Sequence, residues 1–204
     1  IYASTGLTDS IAMNFSAYGR RQDKGWGKSV ITGNDSYDGW GWGVRSKLLF
    51  DSGGPTTILL NGNYEKTRGS QGLAGRVVPG TFGRGGYDPE AANAGFYDIT
   101  STFDQDFRNS IFQLSGKISH DFGAATLVSI SSYTKIKSDG VYDIDVAPVN
   151  FFGAAILQQG RTFTQELQLI SPEGAPVSWL IGAFYLNDKA TFDTLYTGLA
   201  LRGV

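Results

Sequence analysis

One histidine, no cysteine and nineteen carboxylates bound the chemistry open to this 204-residue chain. His120 stands just before Asp121, so a histidine triad or a two-histidine metal centre needs partners from outside the chain. An interfacial ring near a rim of short turns is the preferred reading of it. The lack of cysteine removes disulfides, thiolate metal sites and thiol nucleophiles without fixing a compartment. Asp143 and Asp145, with Asp139 nearby, gather where a strand leaves for a long loop. Hard cations take oxygen ligands, so Ca²⁺ or a cationic ligand fits there; a solvated strand end is the commoner arrangement. Asn34, Asp35, Asp38 and Gly39 imitate part of a calcium loop but lack the later glutamate. Gly83-Arg84-Gly85-Gly86 follows no parallel strand and opens no helix, so it fails as a phosphate cradle and reads as loop turns. Trp26, Trp40 and Trp42 sit near the loop end of one hairpin. They suit stacking on a sugar or aromatic ligand, or anchoring at a lipid boundary, and the second is preferred. Ligand contact, if any, is expected at Trp26, Trp40, Asp143 and Asp145. No catalytic, metal or cofactor set emerges, and no enzymatic activity is expected.

The elements that would position these residues are strands. Period-2 alternation dominates and helical periodicity is nearly absent. Trp40, Trp42, Val44, Leu48 and Phe50 share a face opposite Gly41, Gly43, Arg45 and Lys47. Ile58, Leu60, Gly62 and Tyr64 oppose Leu59, Asn61, Asn63 and Glu65. Phe112, Leu114, Gly116 and Ile118 oppose Gln113, Ser115, Lys117 and Ser119. Phe163, Leu167 and Leu169 oppose Thr162, Thr164, Glu166 and Gln168. Around residues 126–133 and 177–186 apolar residues fall on both faces, and the facing stays open. Net charge is −2, so no global field recruits nucleic acid. With 28 glycines and 13% aromatics, antiparallel β-structure with many turns is favoured over a helical bundle. The longest apolar run, Phe151 to Leu157, falls well short of the ~18 residues of a membrane helix.

Connections carry a second signal. Leu7 to Ser10, Asp51 to Pro55, Asp121 to Ala124 and Pro172 to Pro176 are tight and turn-rich. Between them lie long links: Gly25 to Ser36, Gly69 to Gln105, Asp143 to Gly160, and one beginning near Phe192. Strict alternation of short and long links is the pattern of an up-and-down membrane barrel, with short turns at one rim and long loops at the other. Strands such as Ser10 to Arg21 and Asn109 to Phe122 exceed the soluble mode of ~5–6 residues and suit a tilted bilayer crossing. The expectation is an all-β, antiparallel up-and-down meander of about eight long strands, an open segment of a large transmembrane β-barrel. The alternating apolar face would meet outer-membrane lipid, and Arg45, Lys47, Asn61, Asn63, Glu65, Lys117, Glu166 and Gln168 would face a wet lumen, able to contact a plug or ligand.

At this point the residues resemble the barrel portion of TonB-dependent receptors of the sphingomonad-like type. Thr8 to Trp26 (TDSIAMNFSAYGRRQDKGW) looks like their strand ending in an aromatic and a basic pair. WGVRSKLLF and LLNGNYEKT look like the next two strands. Leu114 to Asp145 resembles their hairpin with an Asp-Phe-Gly turn. FTQELQLISPEGAPVSWLIGAFYLND is the most specific match, a Gln-Glu-Leu strand, a Pro-Gly turn, then Trp and Gly-x-x-Tyr. The resemblance covers nearly all of residues 1–204 outside the loops and implies a barrel of about 22 strands with a plugged lumen. It implies uptake of a scarce ligand, such as a siderophore, vitamin or saccharide, in the bacterial outer membrane. The energy-coupling protein TonB would act through an N-terminal region. No plug, coupling box, leader or terminal aromatic strand is present in this sequence, so a segment truncated at both ends is expected. The plug and remaining strands of the same parent would be its partners. A complete small outer-membrane barrel, a soluble β-sandwich binding module and, last, an outer-membrane lipid hydrolase are the competing readings.

Overall fold

The computed structural model describes residues 1–70, 82–83, 86–87, 95–144 and 150–197. Eight long strands form one sheet: β1 (Tyr2–Thr8), β2 (Ile11–Gln22), β5 (Gly39–Asp51), β6 (Thr56–Gly69), β9 (Asp106–Asp121), β10 (Thr126–Asp143), β11 (Gly153–Ile170) and β12 (Leu180–Thr197). Two-residue strands β3 (Gly27–Lys28) with β4 (Asp35–Ser36), and β7 (Phe82–Gly83) with β8 (Gly86–Tyr87), make two small hairpins in the long connections. The long strands pair in chain order, every neighbour antiparallel, and the sheet is not closed. It is the expected meander.

The short turns are built from their own residues. The Asp51 carboxylate accepts from the Gly53 amide at 3.0 Å, and Asp121 accepts from Gly123 at 2.7 Å. Gly53, Gly123 and Gly174 have φ of 71°, 79° and 77°, the left-handed conformation that glycine adopts without a Cβ penalty. At this rim His120 Nδ1 lies 2.6 Å from Thr56 Oγ1, with its ring edge-on to Phe122. The ring therefore sits by the short turns and has a structural partner.

Register assigns every strand residue to a face. Ile11, Phe50, Ile58 and Ile118 are directly paired across β2, β5, β6 and β9, as are Met13, Leu48, Leu60 and Gly116. Onto this face register also places Leu127 and Tyr133 of β10, Leu167 and Leu169 of β11, and Ile181 and Tyr185 of β12. The opposite face carries Asn14, Arg45, Lys47, Asn61, Asn63, Glu65, Gln113, Lys117, Glu166 and Gln168, the polar set expected. Both open facings are thereby decided. Val128 and Ile130 fall on the polar side, opposite Gln168 and Glu166, and so do Leu180, Phe184 and Leu186.

Two strands run further than expected. Gly153–Gln159 lies in β11 rather than in a loop, because β10 extends to Asp143 and offers it an unbroken ladder. Likewise β12 continues past Phe192 to Thr197 along β11. Small residues such as Ala154 and Ala155 carry little strand propensity alone; the partner strand supplies the order.

No second layer covers the apolar face among the described residues. Leu60 is 43% exposed, Leu114 52% and Ile118 47%, while the largest fully buried side chains are Thr100, Ser101 and Asp143. A soluble sandwich buries such leucines between two sheets. Polar groups within the apolar band are satisfied internally, as lipid requires. Gln165 Nε2 donates to Ser129 Oγ at 3.0 Å, Ser131 Oγ donates to Gln165 Oε1 at 2.5 Å, and Ser46 Oγ donates to the Asn14 carbonyl at 2.9 Å.

Aromatic rings close the band on the loop side, and they step. From β5 to β12 the rings are Trp42, Tyr64, Phe112, Tyr133, Phe163 and Tyr185. Tyr64 pairs directly with Phe112, and Tyr133 with Phe163. The other three links are diagonal, each two residues nearer the short turns, with centroids 5.3 Å apart for Trp42–Tyr64 and 6.3 Å for Phe112–Tyr133 and Phe163–Tyr185. Three two-residue steps over five strand spacings, at ~3.3 Å per residue and ~4.8 Å per strand, correspond to a tilt of roughly 40°. Strands of transmembrane barrels tilt by roughly 35–45°, so this ring line runs level with a membrane surface.

Candidate functional site at the loop rim

Beyond the rings the long connections pack against each other. The β3–β4 hairpin docks on residues 95–105 through a parallel bridge between Ser29 and Ile99. The Ile99 amide donates to the Lys28 carbonyl at 2.9 Å, and the Val30 amide donates to the Ile99 carbonyl at 2.9 Å. Ser29 Oγ donates to the Ser101 carbonyl at 2.5 Å. Asn34 Nδ2 reaches both oxygens of Asp104, at 2.9 and 2.8 Å. Among the described residues this polar hub holds most of the buried polar side chains: Ser29, Ser36, Thr100, Ser101, Gln105 and Asp143 are nearly inaccessible, as is Ile99.

Asp143 belongs to that hub. Its Oδ2 accepts from the Thr102 amide at 2.7 Å, Thr102 Oγ1 at 2.9 Å and Ser101 Oγ at 3.2 Å, and the residue is 0% exposed. The carboxylate, expected from the sequence as a ligand contact, is engaged inside the protein here, tying the 95–105 connection to the end of β10. Asp145 lies outside the described residues, as do Arg84, Gly85 and Leu201 to Val204. Among the described residues no cluster of three or more His, Cys, Asp or Glu has the geometry to hold a metal. Asp35 pairs in the small hairpin and Asp38 faces Arg68 at 3.7 Å, so the calcium-loop imitation has another use.

The two candidate tryptophans do not meet. Trp40 lies on β5, half-buried, paired with Arg21 and Arg68 on the apolar-band face. Trp26 stands off the sheet, 66% exposed, stacked on Tyr37 at 6.4 Å and tilted against Tyr97 at 6.1 Å. Phe96 packs edge-on to Tyr97 and is 80% exposed. Of this aromatic group only Trp26 stands out in the sequence; Tyr37, Phe96 and Tyr97 do not. Nothing local marks them, since two of the three lie some seventy residues along the chain.

Glycine makes this juxtaposition possible. A Cβ on Gly27 would fall 2.0 Å from the Tyr97 carbonyl oxygen, a backbone atom unable to swing away. Gly27→Ala is therefore expected to undock the hairpin at a cost of about 1–3 kcal/mol. Amide exchange at Ile99 should accelerate in the variant while β9 and β10 amides keep their protection; unchanged Ile99 exchange would refute the packing described.

At the same rim an open cavity of about 650 Å³ spans the ends of both faces, lined by Arg20, Gln22, Phe107, Asn109 and Tyr142 on one and by Arg21, Trp40 and Arg68 on the other. Gly39 and Gly69 also line it. Nearby on β5, a Cβ on Gly41 would meet Arg20 Nε at 3.1 Å and one on Gly43 the Tyr18 ring at 2.6 Å. These glycines let Tyr18 and Arg20 lie across β5. The arrangement offers guanidinium groups, amides and aromatic rings around one opening.

A tilted antiparallel wall, oily outside, polar inside and looped at one rim, is the architecture of a large outer-membrane β-barrel. No family model matches the chain, and no curated protein matches it in sequence. Among solved structures it is similar to the ferric yersiniabactin uptake receptor FyuA from Yersinia pestis, with a TM-score of 0.70 and 14% identity. The match covers 98% of this chain and 29% of that receptor, so the chain spans under a third of its neighbour's length. At that identity the likeness shows the fold: an open segment of a large antiparallel β-barrel.

Proposed function

We propose that the chain is the wall and external-loop segment of a bacterial outer-membrane receptor of the TonB-dependent kind, of the sphingomonad-like type. In this reading the intact parent takes up a scarce ligand, of the class of siderophores, vitamins or saccharides, and performs no catalysis. A plug and the remaining strands complete the barrel, and TonB supplies energy from the periplasmic side. The observation that carries this reading is the stepped ring line, whose tilt matches a bilayer-crossing barrel while the apolar face below it has no protein cover. Supporting it, FyuA is a ferric yersiniabactin uptake receptor, and 98% of this chain aligns with it. The exposed Trp26–Tyr37–Tyr97–Phe96 patch and the adjoining cavity, which Tyr37 and Trp40 line, are the proposed ligand contacts; Asp145 stays a candidate, and Asp143 serves by holding the loop beside them.

The chain has no cysteine, so single cysteines report cleanly. In the intact protein in its native membrane, Leu114→Cys is expected to resist a water-soluble maleimide and Gln113→Cys to react. Equal labelling of the two neighbours would remove the membrane reading. For uptake, deletion of the parent gene should abolish growth on one limiting source among ferric siderophores, cobalamin and oligosaccharides. A protonophore should block uptake of the same compound in the wild type, and wild-type growth by the mutant on all three would refute the receptor reading.

A further inference from the structure

Above the rings, on the same apolar-band face, lies a belt of charge, and its two halves differ. On β6 and β9 the two arginines are matched: Arg68 Nε meets Asp106 Oδ1 at 2.7 Å, and Arg108 meets Asp106 Oδ2 at 2.5 Å, while Lys66 stands alone in its row between Trp42 and Ser110. On β10, β11 and β12 the cations are not matched. Lys135 pairs directly with Arg161, and Arg161 with Lys189, placing three cations side by side in one row. All three are exposed, and among the described residues none forms an ion pair. Lys137, one row further out, has Asp139 at 3.9 Å.

Like charges at directly opposed positions destabilise a sheet. This row therefore repels itself unless an anion lies across it. Its position says which kind of anion. Tyr133 and Phe163, the rings marking the lipid boundary on β10 and β11, are the residues one row beneath Lys135 and Arg161. The cations thus emerge where acyl chains give way to headgroups. Three strands spaced ~4.8 Å apart spread the charges over about 10 Å, wider than a single phosphate. Lysine ammonium and the arginine fork both bind phosphate oxygens strongly.

We infer that Lys135, Arg161 and Lys189 form a binding site for a lipid headgroup bearing two phosphates, seated on the outer wall at the loop-side edge of the apolar band. The inference rests on the membrane-facing reading of this sheet face. Bound lipid offsets the repulsion along the row and fixes the height of β10–β12 in the membrane.

The test uses the intact protein folded in detergent and titrated with bisphosphorylated lipid A, with its dephosphorylated form as control. Bound lipid is counted by native mass spectrometry. Wild type should retain the bisphosphorylated lipid over the control, and K135Q/R161Q/K189Q should bind it at least about tenfold more weakly. R45Q/K47Q, on the opposite face, should bind as wild type. Unaltered retention by the triple variant overturns the site, as does displacement of the lipid by millimolar inorganic phosphate, which would mark a general anion site. Loss in R45Q/K47Q with none in the triple variant would show the faces to be inverted and would sink the membrane reading too. If Leu114→Cys and Gln113→Cys label as expected while the triple variant is unaffected, only this inference fails.

Discussion

Leu60→Arg is expected to destabilise the intact barrel by about 2–4 kcal/mol, whereas Asn61→Arg, one residue on, should change stability by less than about 0.5 kcal/mol. Leu60 stands midway along the apolar band on β6, four residues from Tyr64 at one boundary and four from Thr56 at the other. It leans over Gly116, where an added Cβ would meet its Cδ2 at 3.2 Å, and has no second layer above it. A guanidinium there leaves water for hydrocarbon, and no carboxylate in its row offers a partner: the paired residues are Leu48 and Gly116. Asn61 points the other way, bonded to Ser115 Oγ at 3.3 Å on the wet face, where an arginine stays hydrated. Urea unfolding of each variant from lipid vesicles measures the difference. Similar midpoints for the two variants would mean that neither face meets lipid.

That contrast depends on facing, and facing was legible in the sequence wherever one side of a strand is polar. Asn61, Asn63 and Glu65 against Ile58, Leu60 and Tyr64 leave no ambiguity, because a one-residue slip would turn every side chain over. It was illegible on β10 and β12, where Val128 and Ile130, or Phe184 and Leu186, put apolar groups on the lumen side too. There only the neighbouring strand decides. The tilt was hidden for a related reason. Trp42, Tyr64, Phe112, Tyr133, Phe163 and Tyr185 can all be read off the chain, but their offsets mean nothing until register places them side by side. The same holds for the cation row, whose members come from three strands and carry no local motif.

The loops were less legible still. Asp143 has the residue type and position of a cation ligand at the end of a strand. Its actual partners, Ser101 and Thr102, lie forty residues earlier, and no periodicity links them. A polar hub of serine, threonine and aspartate looks in sequence like solvated loop, since those residues are also turn formers. Burial separates the two cases, and burial here comes from two connections closing on each other. The rim is thus a second, smaller packing unit carried on the wall, with its own internal cohesion.

Asp143→Ala should release that unit while leaving the wall intact. The substitution removes the acceptor at a fully buried position, stranding the Thr102 amide and hydroxyl, while Ser101 Oγ keeps the Phe103 carbonyl at 2.7 Å. Bonds to a charged acceptor are worth about 1.5–3 kcal/mol each, and buried donors without partners cost about as much. Part of this returns as the freed groups reach water. A net loss of about 3 kcal/mol from loop closure is expected, raising the opened population roughly a hundredfold. Phe96, Tyr97 and Phe103 lie in the released connection, so chymotrypsin should cut there far faster in the variant, when opening is rapid compared with cleavage. Asp143→Asn, which keeps one carbonyl acceptor, should fall between. The urea midpoint of the barrel should not move in either variant, because the ladder between β10 and β11 needs only the backbone of Asp143. Cleavage at the wild-type rate in Asp143→Ala would mean that the carboxylate does not hold the loop and is available for a ligand after all.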